Sequence, residues 1–259
     1  MHQPIIDSHI HFDLYKEDEK RHILKVMEAY KVTDLISVSR HAQSAQENIE
    51  LAKQDERVKV SIGYHPEQKL PNQNEVDKLF ELIDGYQDEI VAIGEVGLPY
   101  YMRKDNRSIK VEPYLNLLEK FVQKAKELDL PIVLHAIYED APIVCDLLEQ
   151  YSVTKAHFHW FKGDAKTVKR MIDHHYFISI TPDVLYEAEI QSLVQSYPLS
   201  KMMVETDGPW PFEGPFQGQM THPKMIHETV MKIAELKQCE VAYIYENLFQ
   251  NTKDFYKII

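Results

Sequence analysis

Short runs of apolar and β-branched residues recur along the chain, separated by longer stretches whose apolar positions fall three and four apart. The runs cover residues 4–8, 34–38, 58–62, 90–93, 131–134, 155–158, 176–180 and 201–204. Each has the length of a strand. Several, such as Ile90-Val91-Ala92-Ile93, lack polar alternation, as expected of strands covered on both faces. Helical periodicity fills residues 19–30, 45–53, 75–86, 111–128, 141–151, 165–174, 185–196 and 223–236. Strand and helix alternate eight times, which predicts an α/β chain folded as a (β/α)₈ TIM barrel. The 259 residues suit a unit that commonly needs about 250, so one domain over residues 1–259 is expected. From Cys239 to Ile259 an apolar stripe of Val241, Ile244, Leu248 and Phe249 predicts two short extra C-terminal helices.

An open doubly wound sheet is the competing architecture. No G-x-G-x-x-G turn follows the first strand, and such a sheet gathers its site at a single crevice. Here metal-binding residue types follow the first, fourth, fifth, sixth and eighth strands. A barrel brings all of those strand ends around one mouth.

His9 and His11 are one residue apart at the end of the first strand, so with Asp7 they are expected to leave the same face. A lone core histidine is easily satisfied; a pair aimed inward is harder to explain as packing. Glu95 follows Gly94 and precedes Gly97, His135 ends Ile132-Val133-Leu134, His159 ends Ala156-His157-Phe158, and Asp207 closes the eighth strand region. Singly, each acid reads as a turn or salt-bridge residue. Together, four histidines and two carboxylates exceed the needs of one ion and suit two divalent ions bridged by a carboxylate and a water.

Other positions carry two readings each. His65, in Gly63-Tyr64-His65-Pro66-Glu67, orients a substrate oxygen or supports a ligand. Glu205 faces the same way as Asp207 and holds either a histidine tautomer or a metal-bound water. Lys162 is a phosphate or carboxylate contact, or a solvated loop residue. His157 reads as a core or supporting residue one layer deeper, and His174 and His175 as a charge match at a helix end.

A net charge of −12 speaks against adhesion to nucleic acid or anionic lipid through a basic surface. It does not constrain a cleft whose acids hold metal ions. There is no basic leader before an apolar run and no apolar stretch long enough to span a bilayer, so neither secretion nor membrane association is expected. Cys145 and Cys239 fall within amphipathic patterns without a C-x-x-C partner and read as buried thiols in a reducing cytoplasm. Nothing calls for an obligate protein partner.

The strand-end segments resemble the TatD family of metal-dependent, deoxyribonuclease-like hydrolases, within the wider amidohydrolase barrel group. Six motifs occur in order: Asp7-Ser8-His9-Ile10-His11, Gly63-Tyr64-His65-Pro66, Gly94-Glu95-Val96-Gly97-Leu98, Leu130 to His135, His159-Trp160-Phe161-Lys162-Gly163 and Glu205-Thr206-Asp207-Gly208-Pro209-Trp210. Glu246-Asn247-Leu248-Phe249 resembles the family's C-terminal region more loosely. The resemblance implies a two-ion site, with His9, His11 and Asp207 on one ion, His135 and His159 on the other, and Glu95 bridging. It implies zinc, manganese or magnesium as the ions, and catalytic roles for Asp207 and Glu95. It also implies phosphoester substrates, among them single-stranded DNA ends cleaved from 3′ to 5′.

Three departures bear on substrate. Pro99 stands where the family has an acid before Tyr100-Tyr101, and Ala136-Ile137 replace the segment carrying an arginine after His135. The basic C-terminal segment becomes Gln217-Gly218-Gln219-Met220-Thr221-His222-Pro223. Loss of arginine weakens a phosphate clamp more than it weakens hydrolysis. Arg40, Lys162, Arg103, Lys104 and Arg107 are the candidate replacements, with Tyr100, Tyr101, Trp210 and Phe212 as stacking surfaces. The same metals on an arginine-poor rim also suit an amide, ester or lactone carbonyl. A non-catalytic interaction barrel is the third reading, disfavoured because none of the six ligand positions is lost.

Overall fold

The computed structural model describes residues 2–258, so Met1 and Ile259, the outer bounds of the expected domain, lie outside it. Eight parallel strands run in chain order: β1 (Ile5–Ile10), β2 (Val32–Val38), β3 (Val58–Ile62), β4 (Ala92–Gly97), β5 (Ile132–His135), β6 (Ala156–Phe158), β7 (Phe177–Ile180) and β8 (Met202–Val204). Each pairs with its successor. The seam between the last strand and the first is joined by the chain just past β8: Asp207 N–H donates to the His9 carbonyl at 2.9 Å, and His11 N–H donates to the Gly208 carbonyl at 2.7 Å. The result is a nearly closed (β/α)₈ barrel, as the eightfold alternation predicts.

The outer ring comprises α1 (Glu17–Val26), α2 (Ala42–Gln54), α3 (Gln73–Gly85), α4 (Tyr100–Asp105), α5 (Glu112–Glu127), α6 (Asp140–Gln150), α7 (Ala165–Asp173), α8 (Ala188–Ser196) and α9 (Ile226–Lys237), with α10 (Val241–Tyr256) following. Local chemistry sets several starts. Asn72 and Asp164 cap α3 and α7 by accepting from Glu75 N–H and Thr167 N–H at 2.9 and 2.7 Å, and His41 Nδ1 caps α2 through Ser44 N–H at 3.1 Å.

The C-terminal expectation needs correction. One helix of 16 residues, α10, replaces the two short ones, because its apolar stripe continues unbroken through Thr252, Phe255 and Tyr256. Ile6, Ile36, Val38, Ala92, Val133 and Met203, drawn from five strands, meet Phe255, Tyr256 and Ile258 in one buried cluster. Residues from non-neighbouring strands meet in this way only inside the barrel, so the end of α10 plugs its floor. Cys145 is buried as expected, whereas Cys239 is exposed; it follows the left-handed Gln238 in the turn between α9 and α10, outside either amphipathic face. Among the described residues no helix is long and apolar enough to cross a membrane.

Glycine is required where β4 meets β5. A Cβ on Gly97 would fall onto the His135 carbonyl, and backbone on an adjacent strand cannot rotate aside. Gly97→Ala is expected to lower unfolding stability by about 1–3 kcal/mol as an overpacking change, measured by urea denaturation. Wild-type stability would show that the strands separate at this point at little cost.

Candidate metal centre and active site

Glu95 lies within β4 and is fully buried. Its two oxygens serve different groups. Oε2 lies 3.3 Å from both His9 Nε2 and His11 Nε2, from the end of β1, and the same nitrogens lie 3.3 and 3.5 Å from Asp207 Oδ1. Oε1 lies 3.4 Å from His65 Nε2, 3.1 Å from His135 Nδ1 and 2.8 Å from His159 Nε2. Five imidazoles therefore surround one carboxylate. The barrel brings together all six residues singled out as ligand candidates, and adds His65.

The donor set fits two divalent ions. Glu95 Oε1 and Oε2, Asp207 Oδ1 and His9 Nε2 are buried and have no partner of hydrogen-bond geometry among the described residues, an arrangement too costly to keep as ordinary packing. Three groups of donor atoms lie within 4.8 Å of one another: His9, His11 and Glu95; His65, Glu95 and His135; and His9, His159 and Asp207. His159 thus stands between the clusters, its ring stacked on His9 at 3.9 Å.

The electrostatics show what an ion competes with. Burial and His159 both oppose charge on His9, yet Asp207 and Glu95 outweigh them and hold its pKa up at about 9. Burial opposes charge on His159 too, and Glu95 with Glu205 raises it well above the usual histidine value. Burial pushes the Glu95 carboxyl up, but the imidazoles of His65 and His159 keep it well below the usual range. The imidazoles of His9 and His159 hold protons that an ion would displace, so metal uptake is expected to expel protons and to strengthen as pH rises.

Supporting residues complete the centre. Glu205 accepts from Ser179 Oγ–H at 2.6 Å and from Trp160 N–H at 2.8 Å, and lies 3.7 Å from His159 Nδ1. His157 is indeed one layer deeper, between Ser179 Oγ and the Tyr256 hydroxyl at 2.6 Å each. Asp7 departs from expectation. The pairing of β1 with β2 shifts register between Asp7 and Ile10, and the Asp7 carboxylate accepts from Thr206 N–H and Oγ1–H at 2.9 and 2.5 Å instead of joining the histidines. Asp207 and Trp160, with φ of 49° and 39°, hold left-handed backbone next to the clusters, conformations that persist only where surroundings impose them.

Sequence reasoning missed Glu67. Its Oε1 accepts from Tyr101 N–H at 2.7 Å and lies 3.3 Å from His135 Nε2, while Oε2 accepts from Met102 N–H at 2.8 Å. One carboxylate therefore caps α4, a helix absent from the predicted pattern, and holds His135 with Nδ1 turned toward Glu95. The signal was available, since Glu67 follows His65 by two residues.

A cleft of about 670 Å³ opens in front of the clusters, lined by His11, His65, His135, His159 and Asp207 together with Arg40, Glu67, Gln68, Tyr101, Trp160 and Trp210. The remaining candidates lie elsewhere. Arg103 is bound to the buried Asp140, Lys162 sits 3.8 Å from Asp183 and over the Trp160 ring, Tyr100 packs against Tyr101 and Tyr138, and Phe212 is buried beside Phe216 and Met225. His174 contacts Glu149 at the end of α7, far from the site in role.

The model of the TatD-related DNase family matches residues 6–257. This chain belongs to that family. Within it, the chain is 35% identical over 255 residues to an uncharacterised metal-dependent hydrolase of Haemophilus influenzae, covering 98% of this chain and all of the relative. It is 29% identical over 258 residues to the human protein named deoxyribonuclease TATDN3, covering 95% of this chain and 92% of the relative. The crystal structure of YjjV, a TatD homologue from Escherichia coli, superposes with a TM-score of 0.86 at 22% identity, covering 98% of both chains. The chain is a TatD-like metal-dependent hydrolase whose candidate metal ligands gather at the barrel mouth.

The Glu67 contacts generate a test. Glu67→Gln keeps one acceptor for the α4 backbone and loses the second, together with the charge facing His135. The affinity of the more weakly held ion is expected to fall about 10- to 100-fold, as for other groups that orient a metal-binding histidine, measured by metal titration calorimetry. Unchanged metal affinity with reduced thermal stability would limit Glu67 to capping α4.

Proposed function

We propose that the enzyme hydrolyses phosphoester bonds, with single-stranded DNA ends as the candidate polymeric substrate. The observation that carries this reading is the single carboxylate of Glu95 turning one oxygen to each of two ligand clusters, in a member of the TatD-related DNase family. In this assignment His9, His11 and Asp207 hold one ion, His135 and His159 the other, and Glu95 bridges. Bound there, two divalent ions supply Lewis acidity toward phosphoryl oxygens and make a water nucleophilic near neutral pH. A set this rich in imidazole favours zinc or manganese over magnesium.

The chain's own groups do the rest. Asp207 borders the cleft and turns Oδ1 to the ligand histidines, which supports the reading that its carboxylate takes the proton of the attacking water. Glu67 holds His135 through Nε2 at 3.3 Å, and Glu205 stands 3.7 Å behind His159 Nδ1. Tyr101 and Trp210 offer aromatic faces to a base. The whole chain acting as one catalytic unit in a reducing cytoplasm is part of the proposal, supported by its two free thiols.

Nucleotide release from short single-stranded DNA in the presence of manganese, zinc or magnesium is the expected activity. Higher metal-dependent kcat/KM on a lactone or amide panel than on any phosphoester would transfer the reaction to carbonyl chemistry. Glu95→Gln tests the bridge. It preserves size while removing the charge between two cations, so bound metal is expected to fall from two ions per chain toward one and turnover by about a hundredfold. The thermal midpoint at saturating metal should barely move. Two ions retained with near-normal turnover would end the bridged assignment.

A further inference from the structure

Among the described residues that line the cleft, Arg40 is the sole lysine or arginine. Of the neighbouring cations, Arg103 is bound to Asp140, while Lys162 lies over the Trp160 ring, 3.8 Å from Asp183, and neither lines the cleft. Arg40 differs in both backbone and side chain. Its carbonyl accepts from His65 N–H at 3.1 Å and from Gln68 Nε2–H at 2.6 Å, and its own N–H donates to Ser44 Oγ at 3.1 Å. The residue is therefore pinned to the loop that carries His65. Its guanidinium makes no hydrogen bond among the described residues. Nε is buried without a partner, and the nearest acid contact, Nη2 to Asp13 Oδ2, is 3.6 Å long, with that oxygen already accepting from Ser44 Oγ–H at 2.9 Å. A fixed guanidinium with unused donors, beside a cleft, is the form in which proteins hold an anionic group.

The rest of the cleft limits how many such groups it can take. Its other charged walls, apart from histidines, are the acids Glu67 and Asp207, and the chain as a whole carries −12. A groove that follows a polynucleotide needs a row of cations along the phosphates. The volume of about 670 Å³ is that of a pocket for a small ligand. Tyr101 and Trp210 are 45% and 62% exposed, leaving aromatic faces for a base.

Resting on the phosphoester reading above, we infer that Arg40 forms a one-anion subsite, and that the substrate class is a small phosphate ester. Such a substrate is a mono- or dinucleotide-sized molecule, or the last residues of a strand, with one anionic group beyond the scissile bond. An extended strand gripped along its backbone is not the substrate this cleft selects.

Both tryptophans of the chain, Trp160 and Trp210, line the cleft, so intrinsic fluorescence reports binding independently of turnover. The probes are a thymidine dinucleotide with a 5′-phosphate and a single-stranded thymidine dodecamer, both phosphorothioate-linked to slow cleavage, titrated into metal-loaded enzyme over a range of salt concentrations. Equal affinity and parallel salt dependence for the two lengths are expected. Arg40→Met should weaken both about tenfold or more and flatten the log–log salt slope by about 0.7, the value for one single-strand phosphate contact. Much tighter, more steeply salt-dependent binding of the dodecamer would overturn the inference, as would an Arg40→Met variant that binds like wild type. The outcomes separate the two levels. Phosphoester hydrolysis with length-dependent binding removes the subsite and leaves the reaction, whereas Arg40-dependent binding of the dinucleotide without any phosphoester turnover keeps the subsite and removes the reaction.

Discussion

The structure is organised around the cost of burying the Glu95 carboxylate. An ionised carboxylate withdrawn from water is tolerated only where opposite charge or strong donors compensate it. Here the compensation comes from imidazoles on strands β1 and β5 and on the segments after β3 and β6, while Asp207 faces two of the same nitrogens from beyond β8. No local segment of sequence can assemble such a shell. It requires a closed ring of parallel strands whose ends converge, and that requirement explains why the ligand residues sit at or near strand ends.

Support for this shell extends through the barrel to its floor. Burial holds His157 down at about 3, so it is neutral. Since Ser179 donates to Glu205, the His157 Nε2–H must donate to Ser179 Oγ, leaving Nδ1 to accept from the Tyr256 hydroxyl. The donors point one way, from the plug at the end of α10 to the Glu205 carboxylate, where the column ends 3.7 Å from His159 Nδ1. The helix that closes the floor is thereby joined through one polar column to Glu205, the carboxylate that stands behind a histidine of the mouth.

Much of this was legible in the sequence, for identifiable reasons. Strands covered on both faces leave apolar runs, and ligands at strand ends leave histidines and acids directly after them, so the barrel and the convergence of His9, His11, Glu95, His135, His159 and Asp207 could be read in advance. Glu67 stands two residues after His65, but its role depends on α4, a helix of six residues too short for a periodic signal, so its position alone did not reveal what it holds. The stripe of Val241, Ile244, Leu248 and Phe249 does not by itself show how far one helix runs; the length of α10 is set by the buried face that continues to Phe255 and Tyr256 in the barrel floor. The pairing of Arg103 with Asp140 and the place of Lys162 beside Asp183 and over Trp160 depend on tertiary packing, and residue type alone gives no hint of them. Asp7 shared the alternation of His9 and His11, but a register shift in β1 turned it to Thr206.

The seam of the barrel deserves a mechanical reading. The first and last strands are joined through the backbones of His9, His11 and Asp207 with Gly208, the same residues whose side chains meet at one cluster. An ion held there would act as a clasp across this joint, drawing together two stretches of chain about two hundred residues apart in sequence. Binding of the ion would then reinforce the closure of the ring, so that holding a catalyst and holding a hoop would call on the same few residues.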